Sequence, residues 1–539
     1  MVKNKYILSF LLFIPLFSFA ESNLKKFIVY FKDKPSDIQI ESLFSAKAME
    51  KRKLYQLPFD YRDYPVDNSY IEQLKQQGMK VLTVSNWLNA AVVETSAHLK
   101  SLKKKPFISD VVLIPNTHGS SIAHVQHIET CEEIQDFEDG YVNSFAQFHM
   151  LNGEYLHEQG FNGEDMTIAI CDAGFQNANV NPAFSALFSE NRVLGTYDYV
   201  NGDSTVFEPT VHYHGSNCLS FIAGKKDNQY LGASSRSDFY LFQTEYEPTE
   251  RLQEEFNLAT ALERCAQLGV DVVSISLGYL DVFDVPSENH DTSDLRKNNT
   301  PAARAVNIAA SKGMLVVVAA GNEGAHPWRY ITTPADADSA FAIGAVDING
   351  VVASFSSYGL PNETRVKPNV AAIGKGAYYI NSTGNVVGGG NGTSYATPVI
   401  AGFSACLWQA FPSKSAWEIK TAVEQSASQY LTPDDRIGYG IPDFKKAYSI
   451  LAAPSFVSDA QLEKDFLIYP NPFHQTILIN NLGNTTIQSV QIYNQLGQMV
   501  YSQDTPASMS LELGAFPDGM YLIQITTAKG ILLKKLIKD

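Results

Sequence analysis

Cysteine is scarce in this chain: five residues among 539, at 131, 171, 218, 265 and 406. So few exclude a scaffold built on disulfides, and their odd number leaves at least one thiol unpaired within the chain. Basic charge is also short, with 41 Lys and Arg against 57 Asp and Glu and a formal net charge of -16. That balance repels phosphate backbones and excludes a general nucleic-acid binder. Beyond the first twenty residues no apolar run is long enough to span a bilayer, so no transmembrane anchor is expected. Nor does any stretch show the regular ligand spacing of a calcium loop. What is plentiful is apolar and aromatic character, 45% and 12% of residues, which excludes a disordered chain. At roughly 100–200 residues per domain, the length predicts about three domains.

The ends differ from the middle. Lys3 and Lys5 precede an apolar run from Tyr6 to Phe17, broken only by Ser9 and Pro15, and Ser18-Phe19-Ala20 supplies small residues two apart. Residues 1–20 therefore read as a secretory signal, too short in its apolar core to be an anchor. Residues 24–115 read as a small α+β unit. Strands are expected at Lys26–Phe31, Val81–Val84, Ala90–Glu94 and Val111–Ile114, with helical stretches over Ile40–Tyr55 and Ala97–Lys105. Placed between a signal and the larger α/β region that follows, this unit is most economically a pro-segment over 21–125 that assists folding and blocks that region's site. The polar stretch Asn116–Asp139 is then the cleavable connection, the alternative being a permanent N-terminal domain. After Pro454-Ser455-Phe456 a polar linker leads to short alternating runs around Ile477, Val490, Val500 and Ile523, the pattern of a small antiparallel sandwich over 462–539.

Between about 140 and 452, apolar strands alternate with helices: Thr167–Cys171, Glu254–Leu268, Val270–Ile275, Ala303–Lys312 and Leu315–Ala320. Near-continuous apolar strands joined by helices predict an α/β parallel sheet covered on both faces, with the site beyond the carboxyl ends of the strands. The polar residues found there are the candidates. Asp172 directly follows a strand, where a carboxylate orients a histidine, binds a metal or caps a turn. His214 opens the apolar helix of HGSNCLSFIAG, with His212 as a competitor. Ser394 is delivered by the run Gly388-Gly389-Gly390-Asn391-Gly392 to the start of a long helix, with Pro398 expected in its first turn. A helix start presents free N–H groups and positive potential, which suits a serine whose product is an oxyanion. Asn322, in Ala320-Gly321-Asn322-Glu323, offers an amide donor, although Gly-Asn is also ordinary turn chemistry. Ser276-Leu277-Gly278 is an extended segment able to pair with a peptide backbone.

In combination these motifs are specific. IAICDAGF, HGSNCLSFIAG, SISLGY, VVVAAGNEG, FSSYGLPNETRVKPNVAAIG and NGTSYATPVIAG, in this order, make the region from about 150 to 450 resemble subtilisin-like serine peptidases. The resemblance implies a triad of Asp172, His214 and Ser394, an oxyanion donor in Asn322, and a substrate cleft walled by Ser276, Leu277, Gly278, Ala320 and Gly321. It implies a zymogen that hydrolyses peptide bonds through an acyl-enzyme, with protein or peptide substrates and no cofactor. Where that family usually has a second His after His-Gly-Thr, this chain has Ser216-Asn217, which is not the position of the base. Cys171 and Cys218, beside Asp172 and one turn past His214, read as buried thiols or a bridge. The polar segment Leu280–Pro301 has room for structural calcium but no supporting motif, and no metal is assigned. The tail, with its YPNPF opening, IYNQLGQMVY hairpin, GMYLIQI strand and Lys-rich end, resembles the C-terminal sorting domain of the type IX secretion system of Bacteroidota. That implies a protein exported through the periplasm of a Gram-negative bacterium to the surface or medium, with the secretion machinery as partner. Rival readings are a catalytically inert surface adhesin on the same fold, and a lipase. The nucleophile context Gly392-Thr393-Ser394-Tyr395-Ala396 argues against the lipase, since it lacks the second glycine of a G-x-S-x-G elbow.

Overall fold

The computed structural model describes residues 24–35, 38–114, 142–281, 283–452, 460–483, 485–494, 499–504, 510–527 and 530–539. The expected signal, the expected cleavable connection, Cys131 and the start of the linker lie outside them. By its contacts the chain divides into two compact units, residues 1–450 and 451–539.

The first unit is built on a seven-stranded sheet in the order Val370–Ile373, Phe341–Val346, Leu315–Ala319, Val272–Ile275, Thr167–Asp172, Asp238–Gln243, Val193–Asp198. Every pairing in it is parallel. Its central strands are buried along their whole length, which is why their sequences are runs of Val, Ile and Ala without a polar face. Cys171, Val273, Ile275, Val316 and Val318 share one core with the helices Leu252–Leu268 and Pro301–Ser311. The helices His214–Ala223 and Thr393–Ala410 pack on the sheet and on each other. Apart from their first residues they are buried nearly throughout, as helices apolar all round must be. Strand order reverses between Thr167–Asp172 and Val272–Ile275, which pair in register from Ile168 with Val272 to Cys171 with Ile275. A crevice therefore opens beyond their carboxyl ends, at Asp172 and Ser276.

The N-terminal part of this unit is a four-stranded antiparallel sheet, ordered Lys80–Ser85, Ala90–Thr95, Lys25–Phe31, Ile108–Ile114. Alternation along Phe27–Phe31 sends Phe27, Val29 and Phe31 into its own core with Ile71 and Leu74, while Ile28 joins the core of the large sheet's helices. Both faces are thus covered. The helix Asn68–Gln76, capped by Asp67, was not anticipated, and the stretch expected to be helical over Ala97–Lys105 shortens to Leu99–Leu102.

Polar contacts fasten this sheet to the half of the unit built on the seven-stranded sheet. Glu263 accepts from Ser85 Oγ at 2.6 Å and from the N–H groups of Asn86 and Trp87, both at 2.9 Å. Ser45 caps the helix Ala46–Leu54 and donates its own N–H and hydroxyl to Gln267 O and Leu268 O, at 2.8 and 2.9 Å. The last carbonyls of the Leu252–Leu268 helix are therefore satisfied by the N-terminal domain. Lys47 and Lys51 reach the buried Asp271, at 2.9 and 3.1 Å, and Lys312 reaches Asp63 and Asp60, at 2.6 and 3.0 Å.

The second unit holds antiparallel sheets of three and four strands, Phe466–Tyr469, Thr476–Asn481 and Ser510–Glu512 against Met499–Asp504, Ile487–Tyr493, Gly519–Thr527 and Gly530–Lys538. One core of Phe466, Ile477, Ile479, Val490, Ile492, Ile523, Ile525 and Leu532 lies between them, the small sandwich that the alternating pattern predicts.

Burial raises the Glu263 carboxyl from an ordinary 4.5 to about 7, against the opposing pull of its hydrogen bonds. The folded chain then holds this proton more tightly than the unfolded one. The group's contribution is complete below pH 4.5 and is lost as pH rises through 7. In a precursor carrying Ser394→Ala, Glu263→Ala orphans three donors and is expected to lower stability by about 2–4 kcal/mol at acidic pH. Denaturant unfolding should show this difference shrinking toward pH 8.

Candidate active site

Asp172 ends its strand at the crevice, 1% exposed. Its Oδ1 accepts the Ala173 N–H at 2.8 Å and lies 2.8 Å from His214 Nδ1. The contact fixes the imidazole with its Nδ1–H toward the acid. Gly215 makes the approach possible: a Cβ there would stand 2.5 Å from Gly174 O and 3.0 Å from Asp172 Cβ. His212, the competitor, makes no bond to this carboxylate; its own buried Nδ1 has no partner among the described residues, and burial lowers its basicity.

Burial alone would also lower the basicity of His214. The Asp172 carboxylate, and after it Cys218, outweigh that and raise it well above 6.5. Cys218 is a buried thiol, as are Cys171, Cys265 and Cys406, and none of these four forms a bridge. Its Sγ lies 3.7 Å from His214 Nδ1 and 3.6 Å from the carbonyl oxygen of Ser394. One sulfur thus touches both the imidazole and the serine's residue.

The Ser394 helix begins at Thr393, so Pro398 falls in its second turn and not, as expected, in its first. A proline there has no N–H for the carbonyl four residues back, which is that of Ser394. This carbonyl accepts instead from Ser276 Oγ at 3.0 Å and from Cys218 Sγ. The Ser394 hydroxyl rests on Ser276 O at 3.4 Å. The helix start is in this way tied to the end of the Val272–Ile275 strand and to the middle of the His214–Ala223 helix.

Asn322, exposed, turns its Oδ1 to the N–H and hydroxyl of Thr393, at 2.9 and 3.1 Å. That orients its Nδ2 toward the serine. A Cβ on Gly392 would lie 3.8 Å from Asn322 Nδ2, 3.7 Å from Ser394 N and 3.7 Å from Ser394 Oγ. Gly392, at φ 154, therefore leaves open a point ringed by two N–H donors and a hydroxyl. An atom with negative charge is stabilised at such a point.

Of the five cleft residues, Ser276 is nearly buried, while Leu277 and Gly278 are half-buried beyond the end of their strand. Ala320 is fully buried, its N–H and C=O taken by Ile343 O and Thr332 N, and Gly321 gives its N–H to Thr393 Oγ1. These two form wall rather than donor. Among the described residues, the carboxylates of Glu245, Glu250 and Glu254 lie within 4.8 Å of one another and are, beside Asp172, His214 and Cys218, a group whose atoms could hold a cation. Burial raises all three carboxyls, Glu245 to about 7, with Asp172 and Glu255 adding to the rise at Glu245 and Glu245 adding to it at Glu250 and Glu254. In the 280–301 segment Glu288 pairs with Arg251, His290 bonds Glu255 at 2.5 Å, and Asp291 caps a helix. The Ser276 hydroxyl, Cys218 and Pro398 were visible as residues, but their joint hold on one carbonyl was not.

A neutral imidazole is needed to take a proton, so the acid limb of kcat/KM is expected above pH 6.5. Asp172→Asn removes the raising charge and leaves burial, which lowers. Its limb should move to lower pH, with activity down about 10⁴-fold. A pH–rate profile of both proteins measures this.

The subtilase family model matches residues 163–440, a Bacteroidota peptidase S8 propeptide domain matches 26–128, and a secretion system C-terminal sorting domain matches 467–539. Subtilisin E of Bacillus subtilis is 26% identical over 388 residues, 69% of this chain and 84% of that protein. Subtilisin DY of Bacillus licheniformis is 27% identical over 281 residues, 52% of this chain and 89% of that protein. Among solved structures, the epidermin leader peptide processing serine protease of Staphylococcus aureus shares the fold, with a TM-score of 0.54 and 15% identity over 80% of this chain and all of that one. Among the described residues no helix is long and apolar enough to cross a membrane. Nothing in these comparisons favours an inert adhesin. With a peptidase sheet, a propeptide and a sorting domain in one sequence, this chain belongs to the subtilase family: it is a serine endopeptidase made as a zymogen and secreted or displayed at the surface of a Bacteroidota cell.

Proposed function

We propose that Ser394 is the nucleophile, His214 its base and Asp172 the group that orients and stabilises the imidazole. The observation that carries this is the 2.8 Å bond between Asp172 Oδ1 and His214 Nδ1, with Cys218 in contact with both His214 and Ser394. On this assignment the hydroxyl leaves Ser276 O for Nε2 of His214, the ring nitrogen that Asp172 does not take. Its oxygen then attacks the scissile carbonyl carbon as its proton passes to the imidazole. The carbonyl oxygen becomes an oxyanion beside Gly392, held by Asn322 Nδ2–H and Ser394 N–H. Collapse breaks the C–N bond, His214 gives its proton to the leaving amine, and water entering by the same route releases the acyl group. Ser276, Leu277 and Gly278 present a backbone for the substrate to lie along, and Ala320 and Gly321 form the opposite wall of the slot.

On this reading residues 1–20 are removed on export, 21–125 form the pro-segment, and the chain is cut between 116 and 139. Residues 140–452 then act on protein substrates, and 462–539 engage the type IX machinery after transit through the periplasm.

A fluorophosphonate probe should label the mature protein on Ser394, found by peptide mapping, and Ser394→Ala should be unlabelled and leave the precursor uncut. Label on another residue would reject the assignment. Asn322→Ala should lose about 10²–10³ in kcat with KM little changed, as loss of the matching amide does in subtilisin. Truncation after residue 460 should retain the protein in the periplasm, which fractionation and immunoblotting would read.

A further inference from the structure

The walls of the slot carry no side chains at Gly278 and Gly321, which ordinarily leaves depth for a substrate side chain between them. Here that depth is filled. A Cβ on Gly278 would meet Thr332 Oγ1 at 2.1 Å and Thr332 Cβ at 2.9 Å; one on Gly321 would meet Thr332 Cγ2 at 3.0 Å and Oγ1 at 3.1 Å. One threonine side chain therefore touches the α-carbons of both walls. Its backbone cannot withdraw. Thr332 N–H bonds Ala320 O at 3.1 Å on one side, and Thr333 exchanges two bonds with Tyr279, 2.8 and 3.1 Å, on the other. Behind Gly321 stands Ser357, whose hydroxyl would be 2.8 Å from a Cβ at 321 and already accepts the Glu323 N–H at 3.0 Å. Thr332 is 3% exposed, and its hydroxyl has no hydrogen-bond partner among the described residues. A buried hydroxyl left without a partner is costly unless something that enters the site supplies one.

We infer that Thr332 is the floor of the slot and sets the peptidase's preference: small residues, Ala, Gly and above all Ser, on the acyl side of the scissile bond, with aromatic and long aliphatic residues excluded. This rests on the assignment of Ser276–Gly278 and Ala320–Gly321 as the slot walls. A side chain too long to enter forfeits its burial and props the carbonyl away from Ser394, whereas a serine side chain ends where Thr332 Oγ1 waits for a partner. Discrimination by size in such a pocket reaches about 10–200-fold per methylene.

The test is kcat/KM of the enzyme matured from the full chain, on peptide amides that differ only in Ala, Ser, Leu or Phe before the cleaved bond. Ala and Ser should exceed Phe by at least about tenfold. Thr332→Gly should raise the Phe-to-Ala ratio about 10–100-fold. Thr332→Val keeps the size and removes the hydroxyl; it should still exclude Phe but lower Ser relative to Ala. A wild-type preference for Phe, or a ratio unmoved by Thr332→Gly, would overturn the inference. Should that variant fail to fold, labelling of the wild type by peptidyl phosphonates ending in Ala or Phe decides the matter on rate alone. Mapping the adduct keeps the two readings apart. Label away from Ser394 rejects the active site, while label on Ser394 that is faster with Phe rejects only the floor.

Discussion

A single carbonyl, that of Ser394, holds the candidate site together. Pro398 deprives it of the N–H that a regular helix would provide, and Ser276 Oγ and the Cys218 thiol take that place. A buried carbonyl left unpaired would cost free energy comparable to a lost hydrogen bond, so the helix cannot shift along its axis without paying that cost. The three elements meeting there carry the Ser394 hydroxyl, the His214 imidazole and the Ser276–Gly278 segment. Positioning of this kind resides in the backbone, which is stiffer than any arrangement of long side chains, and reactive geometry tolerates errors well under 1 Å.

The N-terminal domain is bound by a different logic. Its sheet offers apolar residues on both faces, so one face remains to be covered by another body, and Ile28, Trp87 and Val92 share the core of the Leu252–Leu268 helix. Around that contact the charges are divided between partners. Lys47 and Lys51 go outward to Asp271, whose carboxyl they hold below its usual range although burial alone would raise it. Asp60 and Asp63 receive Lys312 in return. Each of these groups regains water when the two parts separate, so the ionic contacts specify the docked arrangement more than they make it permanent. The apolar face supplies the affinity, and a cut in the connecting chain removes the advantage of being tethered.

Elements with a strong local signature were legible in the sequence. The strands Thr167–Asp172 and Leu315–Ala319 are apolar runs of a length that suits no helix, the Ser394 helix follows a glycine run, and the His214 helix is marked by Gly215 and the apolar residues after it. The helix Asn68–Gln76 escaped because its apolar positions, Ile71 and Leu74, amount to less than two turns of pattern, and only the Asp67 cap marks it. The misplacement of Pro398 came from starting the helix at the serine; Gly392 and Thr393 give no side-chain cap that would have revealed the earlier start. Thr332 was illegible for a deeper reason. Nothing near it in the chain distinguishes Thr332-Thr333-Pro334 from an ordinary extended turn. Its role comes from two glycines far away in sequence that leave room for it.

Space, then, is as much a determinant here as any functional group. At Gly215 the lack of a side chain lets the imidazole reach Asp172, and at Gly392 it leaves a hollow beside Asn322 Nδ2, Ser394 N and Ser394 Oγ. A methyl group at Gly215 would press on the backbone oxygen of Gly174 at 2.5 Å, whereas one at Gly392 would meet no atom closer than 3.7 Å and would simply occupy the hollow. Gly278 and Gly321 could have made a third hollow, and a third was not kept. Since the other two serve the reaction whatever the substrate, filling this one leaves the chemistry intact and narrows what reaches it. Selectivity in such a fold is therefore separable from catalysis, being set by one side chain in a gap that the reacting atoms do not use.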